Sequence, residues 1–454
     1  LLDHFDRAGT VRPCDVEIAL MLVAPQIRGK RYLVYGLART GGSTLRFLAR
    51  SGAVAVAWDE GEAAREAALA ATPGLDLRDP AGLALDGFAG ILMSPGVPLN
   101  RHPLAARARA AGIPLLGDLE LFQWARASLP SHKLVGITGT NGKSTTTALV
   151  HHLLAAAGRV AAMGGNIGLP ILDQPPLPEG GVYVLELSSY QIDLCKTLAV
   201  DIAVYLNLTP DHLDRYDGMA GYQAAKERLF EMQRTGAHAV IAMNDEHTRE
   251  AAAKLPKRLH LDAVSATDIK PADQQRWPAL HGPHNAQNVA CAVAVAGLLG
   301  LSIAEIEAGL ESFEGLPHRT QLVATRNGVA FIDDSKATNA ESVAPALAAF
   351  PAIHWILGGK AKTDHLDPCL PHLAHVRAAY LIGEAAPLFA RILRPLLPAV
   401  TEAGTLDAAV AAAAAVAKPG ETVLLSPACA SFDQFADYEA RGRAFRAIVE
   451  RLDG

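Results

Sequence analysis

Apolar runs with the length of β-strands alternate with Ala- and Leu-rich helical stretches along almost the whole of this 454-residue chain. Strands that alternate with helices are typical of parallel α/β domains, in which helices cover the sheet. The runs fall into three sets, which begin near residues 32, 133 and 329. The predicted strands are Tyr32–Tyr35, Val54–Trp58, Gly90–Met93, Lys133–Ile137, Val182–Leu187, Ile202–Leu206, Ala239–Met243, Val329–Ile332, Ile353–Leu357, Ala378–Ile382 and Thr422–Leu425.

Two interruptions of this pattern predict domain boundaries. Leu-Pro-Ser-His precedes the second set of strands at residues 129–132, and Gly-Leu-Pro follows a helical stretch at residues 315–317. Proline and glycine in such clusters are typical of linkers. The expected domains are residues 1–128, 129–315 and 316–454.

Composition excludes several classes of protein. The formal net charge is −6 with both signs interspersed, which argues against a nucleic-acid binder with a basic face. The five cysteines are scattered and odd in number, so neither zinc nor a disulfide framework is expected, and a reducing cytoplasm fits best. The apolar run Val289–Ala304 is too short for a bilayer span and is interpreted as a buried core helix. Residues 1–28 look atypical and show no export signal.

A glycine-rich loop lies between a predicted strand and a predicted helix in the second domain. Thr-Gly-Thr-Asn-Gly-Lys-Ser-Thr occupies residues 138–145, and the helix is expected to continue to about Ala157. Glycines let several N–H groups face a phosphate, a lysine reaches the terminal phosphates, and a serine hydroxyl binds Mg²⁺. The loop indicates a nucleoside triphosphate but leaves open which group accepts the phosphate. Its predicted ATP-binding residues are Gly139, Thr140, Asn141, Gly142, Lys143, Ser144 and Thr145.

Acidic residues follow the next two strands of the second domain. Glu186 lies at the carboxyl end of its strand, where a carboxylate beside a phosphate-binding loop is well placed to hold Mg²⁺. The alternative is a surface carboxylate. Asp211, His212 and Asp214 follow the next strand, at the edge where such sheets bind ligands, although they also fit a helix cap and solvated helix residues.

Two lysines have ordinary alternatives as surface residues. Lys226 lies in the amphipathic helical stretch Ala225–Phe230, and the pattern alone predicts that a single lysine there is solvated. Lys336 lies in Asp-Asp-Ser-Lys-Ala-Thr-Asn at residues 333–339, directly after a strand. Strand-to-helix turns lie at the ligand-binding end of α/β sheets, which favours a functional lysine there.

The first domain begins with an imperfect dinucleotide-type turn. Gly-Leu-Ala-Arg-Thr-Gly follows the first strand at residues 36–41, with Ala38 at the middle glycine position, and Asp59 follows the second strand. By itself this turn is a weak indication of NAD or FAD. The same geometry also presents N–H groups to another diphosphate.

The order and spacing of these motifs resemble the Mur ligase family, from about residue 30 to residue 450. The phosphate loop, Leu-Glu-Leu-Ser-Ser at 185–189 and Asp-His-Leu-Asp at 211–214 carry the resemblance. Four segments are similar to the D-glutamate-adding members of that family: Asp333–Asn339, Ser426–Phe435, Gly117–Phe122 and Gly164–Gly168.

The resemblance implies an ATP-dependent ligase that joins the carboxylate of UDP-N-acetylmuramoyl-L-alanine to the amine of D-glutamate through an acyl phosphate. It implies an α/β protein with a Rossmann-like N-terminal domain for the UDP end, a P-loop ATPase-type central domain and a Rossmann-like C-terminal domain for the amino acid. A monomer in the cytoplasm, without nucleic-acid or membrane partners, is the expected state. Two Mg²⁺ ions are expected as cofactors.

Site residues carried over from the family's motifs form several groups. The catalytic group is Lys143, Glu186, His212, Lys226 and Lys336. Lys226 is implied to be carbamoylated by CO₂ and to share a second Mg²⁺ with His212, and the implied metal ligands are Ser144, Glu186, His212 and Lys226. Further ATP contacts are Asn285, Asn288, Arg319 and Asp334. The residues implied to bind the UDP substrate are Arg39, Thr40, Gly41, Asp59, Gly96, Asn166 and Ser188. The residues implied to bind D-glutamate are Thr338, Lys362, Ser431, Phe432 and Tyr438.

Three alternative functions are weighed against this one. A folate-polyglutamating ligase shares the phosphate loop, but the segments at 333–339 and 426–435 argue against it. An NAD-dependent dehydrogenase leaves the phosphate loop unexplained. A non-catalytic nucleotide-binding regulator leaves Glu186, His212 and Lys226 unexplained. No protein nucleophile is needed, and Cys429 is interpreted as a packed residue near the site.

Overall fold

The computed structural model describes residues 21–211 and 213–452, and its strands form three separate sheets. The strands are β1 (Arg31–Tyr35), β2 (Val54–Trp58), β3 (Asp76–Leu77), β4 (Phe88–Met93), β5 (Leu115–Leu116), β6 (His132–Thr138), β7 (Ala161–Gly165), β8 (Gly181–Glu186), β9 (Ile202–Tyr205), β10 (His238–Ala242), β11 (His260–Val264), β12 (Gln321–Arg326), β13 (Val329–Asp333), β14 (Ile353–Gly358), β15 (Val376–Ile382), β16 (Val400–Gly404) and β17 (Thr422–Leu425).

Helices connect most of these strands. The α-helices are α1 (Arg39–Arg50), α2 (Glu62–Ala71), α3 (Pro103–Ala110), α4 (Asp118–Ala125), α5 (Lys143–Ala156), α6 (Ser189–Asp193), α7 (Gly218–Glu231), α8 (Glu246–Ala253), α9 (Pro271–Gln274), α10 (Pro283–Leu298), α11 (Ile303–Glu311), α12 (Ala340–Ala349), α13 (Ala386–Leu393), α14 (Leu406–Val416) and α15 (Tyr438–Arg451). Short 3₁₀ segments are Pro25–Ile27, Pro80–Gly82, Arg126–Ser128, Ile171–Asp173, Leu213–Arg215, Ala266–Asp268, Pro278–Leu280 and Asp367–His375.

The first two sheets are entirely parallel. The N-terminal sheet has the order β3-β2-β1-β4-β5, so the chain reverses its direction of winding between β1 and β4. The central sheet has the order β11-β10-β9-β6-β8-β7, which places β6 between β9 and β8. Ligands of open α/β sheets bind outside the carboxyl ends of the strands where the winding reverses. The loops after β1, β4, β6, β8 and β9 are therefore the candidate site segments.

The third sheet has the order β12-β13-β17-β14-β15-β16, and its pairs are parallel except for β12, which runs antiparallel to β13. Its side chains alternate between two hydrophobic cores. Trp355 and Leu357 face one core, whereas Ile356 faces the other, as the two-residue period of a strand requires. All six residues of β14 are buried because helices cover both faces.

The chain divides into two compact units. One unit contains residues up to Asp268 together with Gln287–Leu310, and the other contains Ile269–Ala286 together with the residues from Glu311 onward. In the first unit, the N-terminal and central sheets share one hydrophobic core, in which the Phe122 and Tyr183 rings lie 5.0 Å apart. The buried Glu120 carboxylate also accepts hydrogen bonds from the backbone N–H groups of Lys196 and Thr197, at 2.7 and 2.9 Å.

The predicted α/β class and the predicted strands are confirmed, with shifts of one or two residues at their ends. The strands that the sequence did not predict are the short or edge strands, and β7 has the weak strand composition Ala-Ala-Met-Gly-Gly. The prediction of one core helix over Val289–Ala304 is wrong in its bounds: α10 ends at Leu298, and Gly300 turns the chain with a φ of +83° before α11. Within the part of the chain that the structure describes, no helix has the length and apolarity needed to cross a bilayer.

Candidate active site

The loop after β6 has the geometry of a phosphate cradle. Gly139 and Gly142 have φ angles of +150° and +83°, in the region that favours glycine, and α5 begins at Lys143. A Cβ atom on Gly142 would lie 2.3 Å from Oδ1 of Asn288, so the loop is too close to α10 for any side chain. The backbone N–H groups at the start of α5 are thereby presented at the edge of the sheet, as anion binding requires.

A second loop, after β9, holds the phosphate loop in place. Asn207 Oδ1 accepts a hydrogen bond from the Asn141 N–H at 2.8 Å, and Asn207 Nδ2 donates to the Asn141 carbonyl at 3.2 Å. The Thr209 N–H donates to Oγ1 of Thr140 at 3.0 Å, and that hydroxyl donates to the Thr209 carbonyl at 3.2 Å. The sequence interpretation missed Asn207 and Thr209. Their position directly after a strand adjacent to β6 is the signal that was available.

The phosphate loop also brings a lysine, a hydroxyl and a carboxylate together. Lys143 Nζ donates to the Thr140 carbonyl at 2.7 Å. Ser144 Oγ donates to Oε2 of Glu186 at 2.5 Å, and Asn166 Nδ2 donates to Oε1 of the same carboxylate at 3.0 Å. Glu186 is only 3% exposed, so the alternative of a surface carboxylate is wrong. A serine hydroxyl beside a carboxylate is a set of hard oxygen donors, which fits Mg²⁺.

Lys226 is buried on the inner face of α7. It is 1% exposed, its Nζ donates to the Gly139 carbonyl at 2.9 Å, and the Tyr222 ring centroid lies 4.6 Å from the ammonium. The prediction of a solvated lysine is therefore wrong, because α7 turns this position toward the phosphate loop. Burial lowers the pKa of Lys226 well below its usual value, and the nearby charge of Lys143 lowers this pKa further. The predicted ligand His212 lies outside the described residues.

The turn after β1 is closed by the predicted Asp59. Its Oδ2 accepts from the Leu37 N–H at 2.6 Å, and its Oδ1 accepts from the Gly61 N–H at 2.8 Å. A Cβ atom on Gly41 would lie 1.9 Å from the Gly36 carbonyl oxygen, so only glycine fits at this first turn of α1. Direct contact between Asp59 and the uridine stays a prediction, but its role in shaping the turn is clear from these bonds.

Other residues predicted for the UDP substrate lie around the two sheets of the first unit. Arg39 donates from Nη2 to the Gly168 carbonyl at 2.8 Å, which connects the turn after β1 to the loop after β7. Ser188 caps α6, and its Oγ accepts from the Gln191 N–H at 3.2 Å. Gly96 follows β4 and is exposed, and Thr40 lies in the first turn of α1.

Two pairs of predicted glutamate-binding and catalytic residues lie in the second unit. Lys336 Nζ lies 2.9 Å from the Tyr438 hydroxyl and 4.4 Å from the centroid of its ring. Lys362 Nζ donates to Oγ1 of Thr338 at 3.0 Å. The loops that carry Lys362 and Ser431 are joined by paired backbone hydrogen bonds between Lys360 and Ala430, at 2.9 and 3.0 Å. Ser431 is 2% exposed, whereas the Phe432 ring is 71% exposed.

Arg441 lies under these loops and was missed by the sequence interpretation. Its guanidinium donates to Oγ and the carbonyl oxygen of Ser335, at 3.0 and 2.8 Å, and to the Cys429 carbonyl at 3.0 Å. It is 1% exposed, and burial lowers its pKa to about 10. The residue remains charged at neutral pH and holds the loops after β13 and β17 together. In the sequence it is one of several arginines on α15, so nothing singles it out.

The predicted ATP contacts are divided between the two units. Asn288 lies in the first unit, where its Oδ1 accepts from Oγ1 of Thr146 at 3.3 Å. Asn285 and Arg319 lie in the second unit, and both line a cavity of about 780 Å³ beside Phe313 and Phe350. The mixture of aromatic, amide and guanidinium groups in this cavity suits a heteroaromatic ring with polar edges.

Asp334 is buried, and it is bonded to Thr320, a residue that lines the same cavity. Ser426 Oγ donates to its Oδ2 at 2.7 Å, and the Thr320 N–H donates to its Oδ1 at 3.1 Å. Burial raises the pKa of Asp334 to about 7, although the bond from Ser426 opposes this effect. The carboxyl group therefore changes its charge near neutral pH.

Asp334→Asn is expected to change how stability depends on pH. A carboxyl group with a raised folded-state pKa stabilises the fold most at low pH, and this contribution is lost as the pH rises through the folded-state pKa. Between about pH 4 and pH 7, the unfolding free energy of the unchanged protein is expected to fall relative to that of the variant. The expected change is a few kcal/mol, since each pKa unit corresponds to about 1.4 kcal/mol. Urea denaturation across this range measures it, and parallel curves for the two proteins would contradict the raised pKa.

Fold and site together are those of an α/β protein that binds a nucleoside triphosphate. The oxygen donors of Ser144 and Glu186 fit Mg²⁺. Family models match the chain at residues 137–279, as the Mur ligase middle domain, and at residues 318–429, as the Mur ligase glutamate ligase domain. The chain belongs to the Mur ligase family.

Within that family, curated UDP-N-acetylmuramoylalanine–D-glutamate ligases match nearly the whole chain, which places it among those enzymes. The enzyme of Sphingopyxis alaskensis is 57% identical over 95% of this chain and 100% of its own length. The enzyme of Novosphingobium aromaticivorans is 57% identical over 95% of this chain and 97% of its own. Among solved structures, the MurF ligase of Thermotoga maritima superposes with a TM-score of 0.59 at 16% identity and covers 96% of this chain and 100% of its own, which shows the fold alone.

Proposed function

We propose that this chain joins the L-alanine carboxylate of UDP-N-acetylmuramoyl-L-alanine to the amine of D-glutamate, with cleavage of ATP to ADP and phosphate, in peptidoglycan precursor synthesis. The curated relatives carry the name of this activity over nearly the full length of the chain. The observation that carries the chemistry is the buried carboxylate of Glu186, bonded to Ser144 at the start of a phosphate-binding helix and close to the buried Lys226.

A carboxylate must acquire a leaving group before an amine displaces one of its oxygens. An oxygen of the L-alanine carboxylate attacks the γ-phosphorus, the bond to the bridging oxygen breaks, and ADP leaves with that electron pair. The D-glutamate amine then attacks the acyl phosphate carbonyl, loses a proton to solvent and expels phosphate. Lys143 and the N–H groups of α5 stabilise the charge on the phosphates. Cys429 is excluded as a nucleophile in this scheme, since it is buried and burial raises its pKa to about 12.

The oxygen donors Ser144 and Glu186 are the residues proposed to hold Mg²⁺. When bound, the ion offsets charge on the β- and γ-phosphates. The second ion is assigned to His212 and Lys226. An amine reacts with CO₂ only in its neutral form, in which the nitrogen bonds to carbon, a proton leaves, and an anionic carbamate results. The lowered pKa of Lys226 supports such a carbamate because it raises the neutral fraction.

The remaining assignments follow the same proposal. Residues 1–128 are assigned to the UDP end of the substrate, residues 129–315 to ATP, and residues 316–454 to D-glutamate. The two carboxylates of glutamate call for fixed cations and hydroxyl donors, which the Lys362–Thr338 pair and the Lys336–Tyr438 pair supply in the second unit. A monomer in the cytoplasm is the proposed working state.

Phosphate release from ATP tests the proposal. The enzyme is incubated with Mg²⁺, bicarbonate and UDP-N-acetylmuramoyl-L-alanine, and D-glutamate, L-glutamate and no amino acid are compared. Release is expected only with D-glutamate, together with a new amide product seen by mass spectrometry. Release with a different amino acid would preserve the ligase class and change the substrate. Release without any amino acid, or none at all, would contradict the proposal.

A further inference from the structure

Residues 207–211 and 213–216, on either side of His212, are attached to two different loops of the first unit. The first part is bonded to the phosphate loop through Asn207 and Thr209, as described above. The second part reaches the loop after β4, residues 94–101, which belongs to the N-terminal sheet. We call residues 207–211 and 213–216 together the bridging segment.

Arg215 makes most of the second attachment. Its Nη1 donates to the Gly96 carbonyl at 2.9 Å, and its Nη2 donates to the Pro95 and Val97 carbonyls at 3.0 and 2.9 Å. One guanidinium therefore holds three consecutive carbonyls, which fixes the course of this loop. Only a planar group with several N–H donors makes such a set of bonds, and a lysine ammonium has a different geometry.

Neighbouring contacts orient the Arg215 side chain. The centre of its guanidinium lies 3.8 Å from the Tyr190 ring centroid, and Tyr190 lies in α6, just after the predicted substrate contact Ser188. The Tyr216 hydroxyl donates to Oδ2 of Asp193 at 2.9 Å, which anchors the end of the bridging segment to the end of α6. The cation–aromatic contact and the carbonyl bonds together leave the guanidinium little freedom.

Asp214 strengthens the same attachment from the adjacent position. Its carbonyl accepts from Nδ2 of Asn100 at 3.0 Å, and its carboxylate pairs with Arg101 at 2.8 Å. The Arg101–Asp214 pair is more than half exposed on both sides, so solvent screens it. The Arg215 contacts are therefore the main connection between the bridging segment and the loop after β4.

We propose that Arg215 is a positioning residue that couples the nucleotide-sugar site to the ATP site. This inference rests on the proposed function, in which the loop after β4 contacts the UDP substrate and the phosphate loop contacts ATP. The bridging segment joins these two loops directly, so ordering of one loop by its ligand favours the ordered form of the other. Coupling of this kind is reciprocal, and each ligand raises the affinity for the other by the same factor. The arrangement also fixes the distance from the acceptor carboxylate to the γ-phosphate, where small displacements lower the rate.

Binding and steady-state measurements on the full-length enzyme test this inference. Arg215→Ala and Arg215→Lys are compared with Arg249→Ala, a matched control in the same unit whose side chain donates to a single loop carbonyl, that of Met243. Calorimetry measures binding of UDP-N-acetylmuramoyl-L-alanine with and without the βγ-methylene analogue of ATP. In the unchanged enzyme, the analogue is expected to tighten binding by about fivefold or more.

In Arg215→Ala, this coupling is expected to be lost and the KM for the UDP substrate to rise about tenfold. The Kd for ATP alone, measured by calorimetry, is expected to stay unchanged. Arg215→Lys is expected to restore only part of the coupling, and Arg249→Ala to behave like the unchanged enzyme. Thermal unfolding identifies variants that fail to fold. If Arg215→Ala does not fold, Tyr190→Leu takes its place, because Tyr190 packs against the Arg215 guanidinium. Equal coupling in all folded variants, or no coupling in the unchanged enzyme, would overturn the inference. These binding results do not depend on turnover, so failure of the proposed reaction is seen separately as absence of amide product.

Discussion

Lys226→Met is expected to lower kcat by about three orders of magnitude or more, while the protein unfolds at the same temperature or at a higher one. The side chain is 1% exposed, and its ammonium lies 2.9 Å from the Gly139 carbonyl at the phosphate loop. In the proposed mechanism, loss of the amine removes the carbamate that would hold a second Mg²⁺, so transition-state charge would no longer be offset there. A buried amine with a lowered pKa costs stability at neutral pH, whereas a methionine of similar length does not.

ADP formation and thermal unfolding, measured on the same samples, check both parts of this expectation. Lys254→Met is the matched control, because Lys254 is an exposed lysine directly after α8 and pairs with Glu250, four residues earlier. A Lys226→Met variant that retains most of its activity would remove the carbamate from the proposed mechanism. Removal of CO₂ and bicarbonate from the unchanged enzyme is also expected to lower kcat. Addition of bicarbonate is expected to restore it.

Lys143→Ala is expected to lower kcat/KM for ATP by about three orders of magnitude. Lys143 is the first residue of α5, and its ammonium lies 2.7 Å from the Thr140 carbonyl within the phosphate loop. In the proposed mechanism, the ammonium stabilises the negative charge that develops on the γ-phosphate oxygens. Its removal also takes away a charge that lowers the pKa of Lys226, so the neutral fraction of that amine is expected to fall.

The control for Lys143→Ala is Lys133→Ala, since Lys133 is exposed near the opposite end of the same strand, β6. Steady-state rates with varied ATP, together with binding of ATP in the absence of the other substrates, separate loss of binding from loss of chemistry. Unchanged kcat/KM in Lys143→Ala would mean that ATP binds elsewhere in the chain.

The phosphate loop was predictable from the sequence because its constraints are local. Gly139 and Gly142 lie at positions that demand positive φ angles or close approach, and the strand and helix on either side have clear patterns. Lys226 and Arg441 were not predictable on the same grounds, because burial of a cation depends on which face of a helix meets another loop. Residues from distant parts of the chain create those environments, and neither pattern nor propensity reports them.

The bounds of secondary structure show the same division between local and distant causes. The central strands of the three sheets are apolar and bounded by turn residues, so the sequence predicted them to within one or two residues, whereas it did not predict the short and edge strands. The end of α10 at Leu298 depends on the turn at Gly300, within a run whose composition is uniformly apolar. The long-range contacts that Asp59, Tyr438 and Thr338 make in the predicted UDP and glutamate sites could not be predicted from the sequence. Each joins residues more than 20 positions apart in the chain.

The division of the chain into two units has a consequence for biogenesis. The path enters the second unit at Ile269, returns to the first at Gln287 and leaves it again after Leu310. The returning stretch carries Asn288, whose Oδ1 lies against Gly142 of the phosphate loop and accepts a hydrogen bond from Thr146 of α5. A nascent chain that has emerged only as far as Asp268 therefore has both of its first sheets but lacks Asn288 from the proposed ATP site. We therefore expect competence to bind nucleotide to arise late during synthesis on the ribosome, after Asn288 has left the exit tunnel.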